Sequence, residues 1–429
     1  MTAGTLDQKR SAAKTRFETL GYPTRKSESW KYVDLEPITK TFFKEPVRTA
    51  EPQIEACALA PYLFAEREEI RLVFLNGFYS KKWSSLQELP RGVVIKDLGT
   101  QSPGNEAGLL AKYLATEAGA ETNAFAALNT LHFNDGAFCF VPDGVVLQKP
   151  VHFLFITTQD PDKEPMVYYP RVVMALGANA QAHAVMTHAT LSGKPYFVDA
   201  VIEAYLAEGA RLDFAWLQHG GSDSGYFLSS EKYKLQKDTA LQIHHFTEGG
   251  LLTRSEIEVE FAGEGSTAEL NGLSVLEGRS RSHDHLTVRH TKGHGTSRQF
   301  YKNILSGTSV AEFDSLVHVA PGAAKSDSRQ LNRNLILSPG AVGHSRPRLE
   351  IHTDDVSCAH GATTGPMEES ELFYLRSRGL SLGVAKELLV YGFAEEILAT
   401  IQEASIRERL ESFVRSKLTQ ILGQEREKC

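Results

Sequence analysis

The sequence predicts a mainly β chain with helical ends, and three observations predict it. From about 132 to 365, helical periodicity gives way to short alternating runs such as Thr239-Ala-Leu-Gln-Ile-His-His-Phe246. Turn residues near 177, 209, 238, 265, 294 and 322 recur roughly every 30 residues. No helix fits between the runs, which argues against β-α-β units. Self-similarity at this period points to a β-helix, whose rungs bury their apolar faces only by stacking. On periodicity alone, a two-sheet sandwich stays open.

Along the chain, Leu6 to Leu20 reads as a helix stopped by Gly21 ahead of Pro23. Residues 21–32 mix turn formers with aromatics and read as an arm packing Trp30 and Tyr32 onto the main body. Residues 68–76 read as a strand, and 105–131 as one Ala- and Leu-rich helix with Asn123–Asn129 in its last turns. The strand-like runs begin at 137–141 and end at 346–352, with none between 217 and 239. A helix then starts at Pro366, with carboxylates in its first turn, Arg376 and Arg378 at its end and Gly379 beyond. Ser381 is placed to cap the next helix, whose apolar stripe is Ala385, Leu388, Leu389, Phe393 and Ile397. A third helix covers about 403 to 422. The predicted organisation is a helical and mixed region over 1–131, a β body over 132–365 and a helical domain over 366–429.

The 429 residues are 41% hydrophobic and 23% charged with a net charge of −7, values of an ordinary globular chain and not of a nucleic-acid binder. No apolar run approaches the length of a membrane span, and the N-terminus lacks the apolar stretch of a secretory signal. Four scattered cysteines, Cys57, Cys139, Cys358 and Cys429, form no C-x-x-C pair, which fits a reducing cytoplasm. No G-x-S-x-G elbow or P-loop is present, so no ATP site is expected. Gly263-x-Gly265 and Gly293-x-Gly295 read as rung turns.

Thirteen of the 15 histidines lie between 181 and 360. If His352-Thr-Asp-Asp-Val-Ser-Cys-Ala-His360 is extended, His352, Asp354, Val356, Cys358 and His360 share one face. Cys358 and His360 would then stand about 7 Å apart, and thiolate and imidazole could converge on one iron. Two ligands leave a site incomplete, and the bland reading is a packed cysteine near a turn histidine. His283 and His285 would also share a face, as ligands of a metal-dependent β-helix enzyme acting on polysaccharide or as exposed imidazoles. Adjacent His244 and His245 would point apart.

The stretches Ser357-Cys-Ala-His-Gly-Ala-Thr-Thr-Gly365, Glu371-Leu-Phe-Tyr-Leu-Arg-Ser-Arg-Gly379 and Gly392-Phe-Ala-Glu395 resemble the C-terminal signature of the SufB/SufD family of iron–sulfur cluster assembly scaffolds. The arm Gly21–Tyr32, Tyr301-Lys-Asn-Ile-Leu and Asp327-Ser-Arg-Gln-Leu-Asn-Arg-Asn-Leu-Ile-Leu-Ser are similar to further family motifs. Cys-x-His-Gly-Ala-Thr-x-Gly resembles the SufD branch of the family more than the SufB branch. The resemblance implies a right-handed parallel β-helix with helical ends, working without catalysis. It implies pairing with SufB through the β-helix edge and docking of the ATPase SufC on the C-terminal helices. It implies that Cys358 and His360 hold iron or a nascent iron–sulfur cluster, transiently and shared with SufB. It makes Arg376, Arg378, Glu387 and Phe393 candidate SufC contacts, and it allows a homodimer of the isolated chain. A purely structural partner of SufB, without metal ligands, is the competing reading. No motif assigns a flavin to this chain.

Overall fold

A computed structural model describes residues 3–427 apart from 49–50, 65–68, 87, 101–104, 116–122, 159–163, 192, 194 and 221–223. It is a parallel β-solenoid of about seven turns with helices at both ends. One sheet, here the tail-side sheet, stacks Ile70–Leu75, Val151–Thr157, Gln181–Thr190, Arg211–His219, Ala240–Thr247, Thr267–Leu276, Thr296–Leu305, Ser326–Ile336 and Val356–Pro366 in parallel. The arm-side sheet runs from Ala137–Val141 through Arg171–Leu176, Tyr196–Leu206, Gly225–Leu235, Leu252–Phe261, Arg281–His290 and Val310–Val319 to Val342–Ile351. The sandwich alternative is thereby replaced by rungs stacked in unbroken parallel register, as in Arg211↔Ala240 and Thr267↔Thr296.

The corners explain the period. Asn179, Gly209, Asp238, Gly265, His294 and Lys325 occupy successive rungs with φ of 57°, 70°, 55°, 73°, 60° and 60°. This left-handed conformation suits Gly, Asn and Asp best, and the sequence places such residues at most of these corners. Each left-handed amide donates to a carbonyl of the next rung: Gly209 to Lys237 at 2.9 Å, Asp238 to Glu264 at 2.9 Å and His294 to Ala324 at 2.9 Å. Gly263 serves a different need, since a Cβ there would lie 2.1 Å from the Lys237 amide nitrogen of the preceding rung.

Alternate side chains fill the solenoid with an apolar core that includes Phe153, Val172, Met186, Ile202, Phe214, Leu235, Ile257 and Phe313. Outside, the arm-side sheet is covered by Trp30, Val33, Ile38, Phe125 and Leu128. The arm docks as expected. Trp30 is buried under the Arg254 guanidinium, 4.0 Å from the ring centroid, and Tyr32 stacks on His344 at 5.6 Å. The tail-side sheet receives the helices Leu382–Leu398 and Ala404–Glu427. Val390, Ala394, Ile397, Leu410 and Val414 there meet Val185, Leu217, Phe246 and Leu273.

Three expectations need correction. Residues 105–131 are not one helix: Asn105–Tyr113 ends ahead of Ala115, which has φ of 52°, and a new helix spans Ala124–His132. Asn123 is its N-cap, accepting from the Phe125 and Ala126 amides at 2.9 and 3.2 Å. The first tail helix begins at Glu369, because Pro366 still belongs to the last strand. In the second, capped by Ser381 at 3.4 Å, the wall-facing stripe is Ala385, Val390, Ala394, Ile397 and Leu398. Leu388 is 50% exposed.

Gly263→Ala is expected to lower stability by about 1–3 kcal/mol, since the added methyl must push the Lys237 backbone aside. Urea unfolding followed by circular dichroism measures it, and an unchanged midpoint would contradict the close rung contact.

Candidate functional site

Strand Val356–Pro366 is the last of the tail-side sheet, and Val342–Ile351 is the last of the arm-side sheet. Among the described residues nothing pairs with either outer edge. Pro347 lies in the arm-side edge strand, where a missing amide is tolerated because the strand has a neighbour on one side only.

The final strand stacks on Ser326–Ile336 with Ser328 opposite Cys358, Gln330 opposite His360 and Asn334 opposite Thr364. Ser328, Gln330, Asn332 and Asn334 are buried inside the solenoid. Cys358 and His360 therefore continue inward-facing columns, and they share one face. The face does not extend back to His352 and Asp354 as expected. The arm-side strand ends at Ile351, and residues 353–355 form the corner that crosses to the other sheet. His352 stays with the arm-side sheet, 3.0 Å from Glu350.

The interior near this end is polar. His290 Nε2 lies 2.9 Å from Ser297 Oγ, which donates to Ser328 Oγ at 2.8 Å. Gln330 donates to the Ser315 hydroxyl at 2.7 Å, and Asn334 donates to Thr364 at 2.9 Å. Cys358 caps the first column. It is half-buried, packed against the margin of the apolar core. Burial pushes its thiol pKa up, against a hydrogen bond from the Ser328 backbone. His360 caps the second column and is exposed. One soft thiol and one exposed imidazole thus look out of the open end together. A thiolate and an imidazole are donor types that iron accepts, and two donors do not complete a coordination sphere.

The other histidine candidates are committed elsewhere. His283 is buried, not exposed, with Nδ1 2.7 Å from Glu312. His285 lies 3.4 Å from Asp314, whose second neighbour Arg348 is at 2.8 Å. Burial would raise Asp314, but His285, Arg346 and Arg348 outweigh it and hold this carboxyl well below its usual range. His244 and His245 point apart as expected, toward Asp213 at 3.4 Å and Glu231 at 3.1 Å.

On the tail, Arg376 and Arg378 are exposed at the end of helix Glu369–Ser377, and Arg378 lies over the Tyr374 ring at 5.2 Å. Glu387 is half-buried. Phe393 packs toward the solenoid: its ring centroid is 4.1 Å from the Lys302 ammonium, and its carbonyl accepts from Lys302 at 2.8 Å. Sequence reasoning missed an exposed apolar group here, formed by Phe373, Tyr374, Leu382, Val384 and Leu388. Helix Leu382–Leu398 is apolar on more than one face, and that excess was the available signal. No described helix is long and apolar enough to cross a membrane.

The SUF system FeS cluster assembly SufBD core domain profile matches residues 155–393, and that of the SufBD N-terminal region matches 1–153. An iron–sulfur cluster assembly SufBD family protein of Synechocystis is 31% identical over 96% of this chain and 92% of its own. The SufD protein of Escherichia coli is 28% identical over 91% of this chain and 88% of its own. The chloroplastic ABCI7 protein of Arabidopsis thaliana is 26% identical over 95% and 85%.

Burial lowers the pKa of His290 to about 4, so the folded chain holds it neutral whereas the unfolded chain protonates it below about 6.5. Its stability contribution is complete above that value and is lost as pH falls toward 4. The wild-type urea midpoint should therefore drop on acidification from pH 6.5 to 4.5, and His290→Gln should remove roughly 2 kcal/mol of that drop. Equal slopes in the two proteins would contradict a neutral buried imidazole.

Proposed function

Because the chain belongs to the SufBD family of SUF-system iron–sulfur cluster assembly proteins, we propose that it is the SufD-type scaffold subunit, pairing with SufB and docking SufC. The observation that carries this reading is the placement of Cys358 and His360, side by side on the inner face of an unpaired edge strand. A partner strand added along that edge would gain main-chain hydrogen bonds and close the coordination sphere. Iron or the nascent cluster is cargo here, not a resident cofactor. Binding it takes the proton from Cys358, since the thiolate is the ligand. His360 needs no deprotonation when neutral and is the better first contact, being exposed.

SufC would dock on the tail through Arg376, Arg378 and the exposed Phe373 and Tyr374, with Glu387 on the following helix as a further candidate contact. Phe393 would carry motion inward. Lys302 ties it to the strand Thr296–Leu305 and also pairs with Glu396 at 2.9 Å. Rearrangement of the tail on ATP hydrolysis by SufC would thus reach the strands beneath Cys358 and His360.

The partial burial of Cys358 favours a second reading, in which this chain holds SufB without touching metal. Co-expression with SufB and SufC, followed by iron and sulfide analysis of the purified complex, separates the two. His360→Ala is expected to leave the complex intact and cut bound iron by at least about tenfold. Full iron content in a Cys358→Ala/His360→Ala complex would leave the structural reading. For the tail, Arg376→Glu/Arg378→Glu/Phe373→Ser should lose SufC in copurification while SufB stays bound; retained SufC would refute the docking face.

A further inference from the structure

We propose that His318, Glu350 and His352 form a separate site for one divalent transition-metal ion on the outer face of the arm-side sheet. His318 and Glu350 are register partners on adjoining strands. Val317, Val319 and Leu349 between and beside them pack into the core, so alternation turns both side chains outward. His352 lies just beyond the strand, yet its amide still donates to the Val319 carbonyl at 2.9 Å. The alternation therefore carries on to His352, whose ring comes beside that of His318 with centroids 5.3 Å apart. Glu350 Oε1 lies 3.0 Å from His352 Nε2. One candidate ligand atom from each of the three residues lies within 4.8 Å of the other two.

A simple His–Glu pair would account for Glu350 and His352 but not for His318. Its Nδ1 is buried and has no hydrogen bond among the described residues. A buried ring nitrogen without a partner is costly unless something supplies one, and a metal ion does. Two imidazoles and one carboxylate, open to solvent on one side, are the donor set of zinc and non-haem iron(II) sites with free positions. Ligands bound to such an ion stand roughly 3.4 Å apart. The observed spread closes by rotation of the exposed Glu350 and His352. Arg289, the register partner of His318 on the other side, puts a cation nearby, but Glu258 engages it at 3.2 Å. The ion would clamp the arm-side edge strand to its inner neighbour, just ahead of the corner leading to the strand of Cys358.

The site stands independently of the role given to Cys358 and His360, and the test separates them. Untagged full-length chain is titrated calorimetrically with ZnCl2, and with cobalt(II) followed by visible absorption. One ion per chain is expected, with a dissociation constant on the order of 1 μM. His318→Ala/His352→Ala should weaken it by at least about 100-fold, and Glu350→Gln by about tenfold. Cys358→Ser/His360→Ala should bind as wild type. Circular dichroism checks folding, and Glu350→Gln, at an exposed position, serves if the double variant fails to fold. Binding weaker than about 1 mM, binding unchanged in Glu350→Gln, or loss of the ion in Cys358→Ser/His360→Ala would overturn the proposal.

Discussion

The backbone hydrogen bonds that run from rung to rung are the interaction on which the rest of this molecule depends. Each strand of the solenoid satisfies half of its polar backbone against the rung before it and half against the rung after. The corners repeat the device: six left-handed residues in line donate to the following turn, from Asn179 to Lys325. Such a stack has no internal reason to stop. The last strands, Val342–Ile351 and Val356–Pro366, inherit edges with no strand partner among the described residues, and the chain departs from them into helices that cover a wall of the solenoid.

The interior changes along the same axis. Phe74 stacks on Phe155 at the start, whereas Ser297, Gln299, Gln330, Asn332 and Asn334 fill the far end. Most of these groups hydrogen-bond one another, which offsets much of the cost of burying them and keeps the cross-section open to polar groups. The thiol of Cys358 and the ring of His360 are therefore continuations of two columns whose preceding members are the polar Ser328 and Gln330. This placement follows directly from register: Ser328 and Gln330 already face inward, so the residues stacked on them must as well.

Much of this was legible in the sequence. The thirty-residue spacing, the turn residues, the helical ends and the docking of Trp30 and Tyr32 all follow from local chemistry. Strand Gly225–Leu235 was missed because Glu231 and Ser229 interrupt its alternation. Glu231 in fact points into the core, where Tyr233 and His245 bond it at 2.7 and 3.1 Å. No local pattern announces a carboxylate whose partners arrive from its own strand and another rung. The shared face of Cys358 and His360 was readable from alternation. That His352 falls on the other sheet was not, because the corner at 353–355 carries no glycine or proline to mark it. Leu388 was misassigned for a related reason: a helix rich in apolar residues on several faces does not say which of them meets the wall.

The docked arm has a kinetic side. Trp30 packs on Phe125 and under Arg254, whereas Tyr32 stacks on His344, so the two aromatics of the arm complete their contacts with strands made at different times. Contacts of such sequence separation form slowly, and until the last one forms the ring of Tyr32 lacks its stacking partner. The arm is therefore fastened in two stages, Trp30 on the middle of the solenoid and Tyr32 only once the strand of His344 has been laid down.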